Sequence, residues 1–483
     1  QAVGDVEAVW DEVFPDNPFD FFFMDEFFNR QYQSDMQFNA VFIEMGELVK
    51  PNEMQQLTFY YSGTPTVAKR APWDGGFVWK KDDNDKHFVG VACQGFGASS
   101  WWPTKDHQSD EPDSMRIAGT VPSDLVMASN GRLRNTTKKE DWTTYEWFVG
   151  YPINNYNASI TIADFVNFND SYESPTEGKL DLRYYVLSYN LEKAKKQFEQ
   201  VPPMMECYEE WLGPYPFWKD GFAMIETPYL GMEHQSGIAY GNNYLTGYAG
   251  TDFSRIGLTF DYIIIHEAGH EWWGNNLTSF DIGDMWIHEG FCTYSEALYV
   301  ECMNGYETAM DYVNAKKPTI GNREPIQGPY GVNKEGAGDM YNKGMLMLNT
   351  VRHAVGDTEL WKEILKGLQT DYRHSIVTRK DIVKYVNDKT GRDFSPIFAQ
   401  YLDYTSVPQL QFKTTKKGKN LIVDYRWEAD AEGFNLPFKY KDHKGEWQKL
   451  DPTSEWKSIK IKKMKAKNLE WAMREAYVVT KEM

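Results

Sequence analysis

Short apolar runs separated by turn signals occupy roughly residues 43–188, and then the hydrophobic period changes. Leu57-Thr58-Phe59-Tyr60-Tyr61 and Leu182-Arg183-Tyr184-Tyr185-Val186-Leu187 are examples, with turns at Asp74-Gly75-Gly76 and Asn130-Gly131. This pattern predicts an antiparallel β domain. From about residue 189 the spacing becomes helical, at Leu191-Glu192-Lys193-Ala194 and over 204–212, with a Gly213-Pro214-Tyr215-Pro216-Phe217 turn after it. Beyond Pro408, strand-like runs return at 409–413, 421–427 and 458–461. The fold class expected is α+β and multidomain: a segment 1–42, a β domain 43–188, a mostly helical domain 189–405 and a small C-terminal β-sandwich domain 406–483.

One stretch of the helical part carries chemistry. His266-Glu267-Ala268-Gly269-His270 is H-E-x-x-H, and eighteen residues separate His270 from Glu289. Positions four apart share a helix face, so both imidazoles can meet one ion. Two histidines and a carboxylate are a zinc set that leaves one coordination position for water, and Glu267 is placed to take a proton from it. Such a pentapeptide also arises by chance on solvated helices. Here Ile263, Ile264 and Ile265 precede it and Trp272 and Trp273 follow. That context predicts a buried helix, where polar groups without a partner are costly.

The run from His266 through Trp273, Gly274 and Asn275, the gap, and Trp286-Ile287-His288-Glu289-Gly290-Phe291 resemble the aminopeptidase N family of gluzincin zinc peptidases, which includes the leukotriene-type epoxide hydrolases. The resemblance spans about residues 43–483 and is strongest over 190–410. It implies a thermolysin-like helical domain, one Zn2+ on His266, His270 and Glu289, and removal of N-terminal residues from peptides. Leu230-Gly231-Met232-Glu233-His234 resembles the family's Gly-x-Met-Glu-Asn strand and departs from it at Leu230 and His234. It implies that Gly231 and Met232 line the substrate and that Glu233 pairs with the free amine. Met340-Tyr341-Asn342-Lys343-Gly344 resembles the segment whose tyrosine bonds the oxyanion, which implies that role for Tyr341. In Cys93-Gln94-Gly95-Phe96-Gly97-Ala98-Ser99, Gln94 matches the family, whereas Phe96 stands where a second amine-binding glutamate is usual. The amide oxygen of Gln94 is then expected to assist Glu233. Glu296 matches a recurrent carboxylate and is expected to orient a ligand.

Charge adds little beyond exclusion. The net charge of −19 disfavours nucleic-acid partners; peptides with a free N-terminus are the partners that the resemblance implies. Residues 406–483 hold 17 Lys+Arg against 11 Asp+Glu, a net of +6 in an otherwise acidic chain. Cys93, Cys207, Cys292 and Cys302 form no close pair, so neither a disulfide scaffold nor a structural zinc site is expected. No apolar run is long enough to span a membrane. Residues 1–42 resemble an extracytoplasmic segment of bacterial ABC-transporter permeases of the lipoprotein-exporter type, through Phe14-Pro15-Asp16-Asn17-Pro18-Phe19-Asp20 and Asp25-Glu26-Phe27-Phe28. An extracytoplasmic bacterial setting fits that segment. Three functions are therefore in play: zinc aminopeptidase, epoxide hydrolase, and a catalytically weak peptide-binding or transporter-associated module.

Overall fold

The computed structural model describes residues 50, 54–94 and 97–483. The chain divides into two units, residues 1–62 and 63–483. The permease-like segment and Phe96 lie outside the described residues. In the first unit, residues 54–62 form no strand and are exposed throughout. This corrects the strand expected at Leu57–Tyr61. Leu57 is followed by three aromatics in four positions, so the run has no polar alternate face, and strand backbone needs a ladder partner.

The second unit begins with strands β1 (Gly76–Lys81), β2 (His87–Ala92), β3 (Met115–Pro122), β4 (Val126–Ser129), β5 (Arg132–Lys139), β6 (Trp142–Val149) and β7 (Ile160–Ala163). They make two antiparallel sheets, ordered β1-β2-β7-β4 and β3-β6-β5. The expected Asn130-Gly131 turn joins β4 to β5. Gly131 has φ 71°, and a Cβ there would lie 2.2 Å from the Phe148 carbonyl oxygen, so only glycine fits.

A five-stranded sheet links this region to the helices. Its members are β8 (Phe165–Ser174), β9 (Gly178–Leu187), β10 (Phe222–Glu226), β11 (Gly231–Met232) and β12 (Ile238–Tyr240), in the order β11-β12-β10-β9-β8. β9 to β10 is a parallel crossover through α1 (Leu191–Gln197) and α2 (Val201–Leu212). β10 is buried at every position, as expected of a parallel strand covered on both faces. The edge strand β11 delivers Glu233 to the cleft.

The helical part continues with α3 (Tyr262–Gly269), α4 (Trp286–Asn304), α5 (Tyr306–Ala315), α6 (Asn342–Val355), α7 (Thr358–Asp371), α8 (Arg379–Thr390) and α9 (Ser395–Asp403), plus a parallel pair, β13 (Leu277–Ser279) with β14 (Ser375–Val377). Helix α4 is buried on all sides from Trp286 to Val300; it is the axle on which α3 and α6 pack. A Cys207–Cys302 disulfide ties α2 to α4. The sequence reading, which expected no disulfide scaffold, did not foresee this single bond. The partners are 95 residues apart, and α2 and α4 pack with their Cα atoms at 6.0 Å, a proximity that no local spacing encodes.

The last strands are β15 (Gln409–Lys417), β16 (Asn420–Glu428), β17 (Phe438–Lys441), β18 (Trp447–Leu450), β19 (Lys457–Ile461) and β20 (Val479–Glu482). Four form a sheet ordered β19-β16-β15-β20, and β17-β18 is a separate hairpin. Trp427 of β16 meets Phe438 of β17 with ring centroids 5.6 Å apart, packing hairpin against sheet. Among the described residues no helix is long and apolar enough to cross a membrane.

Candidate active site

The start of α3 is fixed first. Asp261 caps it, accepting from the Ile263 N–H at 3.0 Å, and also accepts from Gln197, Tyr240 and Asn242 at 2.7 Å each. One turn later comes His266, and His270 closes the helix end. Each imidazole has an acceptor at Nδ1: Glu296 Oε1 at 2.7 Å for His266 and the Trp273 carbonyl at 3.0 Å for His270. Both Nδ1 atoms therefore carry hydrogen, and both Nε2 lone pairs face inward.

Those lone pairs converge. The two Nε2 atoms are 3.3 Å apart, and Glu289 Oε2 lies 3.2 Å from one and 3.4 Å from the other. A tetrahedral ion with bonds of about 2.0–2.1 Å sets its ligand atoms about 3.3 Å apart. Three buried electron-rich atoms at that spacing are repulsive without a shared cation. His266, His270 and Glu289 thus fit a zinc ion by distance, donor type and burial. The Glu296 carboxylate that orients His266 is itself held by the Tyr312 hydroxyl, while Tyr262 stacks on His266 with centroids 4.9 Å apart.

Glu267 and Glu233 face the same space. Ligand atoms of Glu233, Glu267 and His270 lie within 4.8 Å of one another, all buried. Burial pushes the Glu267 carboxyl up to about 7 against the pull of both histidines. Gly231 lets β11 approach α3, since a Cβ there would stand 2.8 Å from Ile263 Cγ2 and 3.0 Å from Glu267 Oε1. Glu233 is held by two contacts: the Tyr156 hydroxyl donates to its Oε1 at 2.9 Å and the Asn275 amide donates to its carbonyl at 2.9 Å. Three residues on, the Ser236 N–H donates to Glu271 at 2.8 Å.

Tyr341 sits at the start of α6 with its ring 5.9 Å from that of His266. Burial and then the neighbouring Glu289 hold its phenol well above the usual range, so it remains a donor. Gln94 is the exception to expectation: its amide N–H meets Glu289 Oε1 at 3.2 Å, so the contact falls on the ligand carboxylate rather than on an amine position. The cleft is about 610 Å³ and is lined by Gly231, Met232, Glu233, His266, His270, Glu289, Glu267, Gln94 and Tyr341. Its walls also include Trp73, Phe253 and a Lys316–Asp252 ion pair of 2.5 Å. Sequence reasoning missed Tyr156, Tyr262, Tyr312 and these wall residues. Only Tyr262 had a usable signal, being four positions before His266 on the same helix face.

An H-E-x-x-H helix with a distant glutamate on a second buried helix defines a gluzincin-type metallopeptidase domain. Residues 196–401 match the Peptidase family M1 domain. The chain is 19% identical over 411 residues to a probable aminopeptidase 2 of Sulfurisphaera tokodaii, covering 80% of this chain and 51% of the relative. It is 23% identical over 279 residues to human endoplasmic reticulum aminopeptidase 1, covering 54% and 28%. The chain therefore spans about half the length, or less, of these relatives. Among solved structures, the aminopeptidase A of Legionella pneumophila in complex with aspartic acid superposes with TM-score 0.69 at 14% identity, over 83% of this chain and 48% of that one. A variant M1 zinc metallopeptidase of Deinococcus radiodurans bound to a Tyr-Ser-Ala substrate gives 0.61 at 16% identity, over 71% and 75%.

Proposed function

We propose that this chain is a zinc-dependent aminopeptidase, holding one zinc ion on His266, His270 and Glu289 and releasing N-terminal residues from peptides. The observation that carries this reading is the placement of Glu233 beside Glu267 and His270 in one buried cleft. A bound zinc supplies Lewis acidity to a water and to the scissile carbonyl. Glu267 accepts the proton of the attacking water and returns it to the leaving amine, a task matched to a carboxyl raised to about 7. Tyr341 donates to the oxyanion as charge develops there. Glu233 pairs with the substrate ammonium, so that the first peptide bond lies over the ligand set and an internal segment has nothing to offer it. Gly231 and Met232 line the same cleft beside it. Gln94, bonded to Glu289, steadies the ligand carboxylate, and Glu296 orients His266. The domain limits we propose with this reading are 63–188, 189–405 and 406–483, the first moved from the expected 43 to the start of the second unit.

The test is residue-by-residue mass spectrometry of a peptide digest before and after chelation and zinc return. Stepwise loss from the N-terminus that stops with chelator and returns with zinc supports the reading. Zinc-loaded protein that leaves every free peptide intact contradicts it.

A further inference from the structure

The C-terminal sheet ends in a cluster of lysines that the peptidase site does not use. The β15–β16 turn reads Lys416-Lys417-Gly418-Lys419, and the segment after β19 reads Lys462-Lys463-Met464-Lys465-Ala466-Lys467. The sheet brings these two stretches together: Leu421 pairs with Ile461, Lys416 pairs with Leu421, and the Lys463 N–H meets Asn420 Oδ1 at 3.4 Å. All seven lysines are exposed. Among the described residues none of their ammonium groups has an ion-pair partner. Ile461 and Met464 turn inward against Leu421 and Val423, so the lysines stand on a packed apolar base and supply all of the charge on these two stretches.

This patch contrasts with the rest of the molecule. Outside 406–483 the chain holds 34 Lys+Arg against 59 Asp+Glu. Seven unpaired like charges at one end repel each other, and a partner of opposite sign relieves that repulsion. The chemistry of the patch selects among anionic partners. It contains no arginine and no aromatic residue, so it offers neither a planar fork for paired phosphate recognition nor a ring for base stacking. Compact ammonium groups on an exposed turn suit a diffuse plane of charge, where each lysine near the surface adds a similar attraction. The acidic remainder is screened beyond about 8 Å at physiological salt.

We propose that this lysine tip docks the protein peripherally on an anionic phospholipid bilayer. No large apolar side chain is exposed among these lysines, so the contact is electrostatic, shallow and reversible by salt. The experiment is co-sedimentation of the full chain with vesicles of phosphatidylcholine alone or with a third phosphatidylglycerol, at low and at high sodium chloride. A variant carrying K462E, K463E, K465E and K467E is run in parallel, with unchanged release of a small soluble aminoacyl substrate and an unchanged melting curve as evidence of folding. The proposal predicts sedimentation with the anionic vesicles only, loss at high salt, and a fall of about tenfold or more in the variant. Equal sedimentation with both vesicle types, equal sedimentation of the variant, or tighter retention on duplex DNA than on anionic vesicles at equal salt would overturn it.

Discussion

Glu267 shares its wall with Gly231, and the two residues limit each other. A methyl at 231 would stand 3.0 Å from the Glu267 carboxylate and 2.8 Å from Ile263, closer than side-chain carbons come. Gly231→Ala is therefore expected to cut turnover while leaving zinc content intact, measured by kcat beside metal analysis. Glu267→Gln removes the proton acceptor itself, and kcat should fall roughly 10²–10⁴-fold with zinc still bound. Loss of metal in that variant would instead show Glu267 to be a ligand. His266 also titrates against the metal. Burial lowers its affinity for protons, but hydrogen bonds to Glu289 and Glu296 outweigh this and raise it to about 9. Zinc must displace that proton, so zinc affinity should strengthen as pH rises from 6 towards 9, readable by chelator competition. At this scale the cluster of His266, His270 and Glu289 was legible because helix periodicity and the apolar flanks are local. Tyr156 was not, because its contact with Glu233 joins residues 77 apart.

Between elements, the crossing of α4 and α6 positions Tyr341 against the ligand set. Gly290 on α4 and Gly344 on α6 face each other, and a Cβ on Gly344 would fall 2.7 Å from the Gly290 Cα. Glu289 is next to one glycine, and Tyr341 is three residues before the other. Gly344→Ala must separate the helices, with overpacking expected to cost about 1–3 kcal/mol in denaturant titration and kcat falling more than KM rises. The opposite end of α4 is tied to α2 by Cys207–Cys302. Replacing both cysteines by serine should cost about 2–4 kcal/mol without altering zinc affinity. The helices α1 and α2 and the strands near 182–187, 409–417 and 420–428 were readable from period and turn residues. The short strands β13, β14 and β20 were not, and β11 was named only through the family resemblance. Each has two to four residues, too few for a period, and exists because a neighbouring strand supplies its ladder.

For the molecule as a whole, the buried carboxyls set the pH dependence of stability. Burial raises Glu271 to about 7 and Asp261 to about 6. The folded state thus holds protons that the unfolded chain releases near 4.5 for Glu271 and near 3.8 for Asp261; each group's contribution is full below that pH and is lost as pH rises through about 7 and about 6 respectively. Burial lowers His374 to about 4, which acts the other way: its contribution is present above about 6.5 and is lost as pH falls towards 4. Glu271→Gln should therefore gain on the native protein in melting temperature between pH 5 and pH 8; a constant difference across that range would show that Glu271 titrates normally. The three-part architecture was legible from the change of hydrophobic period. The cleft walls were not, because Trp73, Phe253 and Lys316 come from separate segments and meet only in the folded chain.

The claim on which the rest depends is that Glu233 admits a substrate by its free amine. It is tested by offering one peptide in two forms, with a free and with an acetylated N-terminus, to zinc-loaded protein. The geometry predicts that only the free form loses its first residue and that the acetylated form survives intact. Internal cleavage of both forms at equal rates would contradict it.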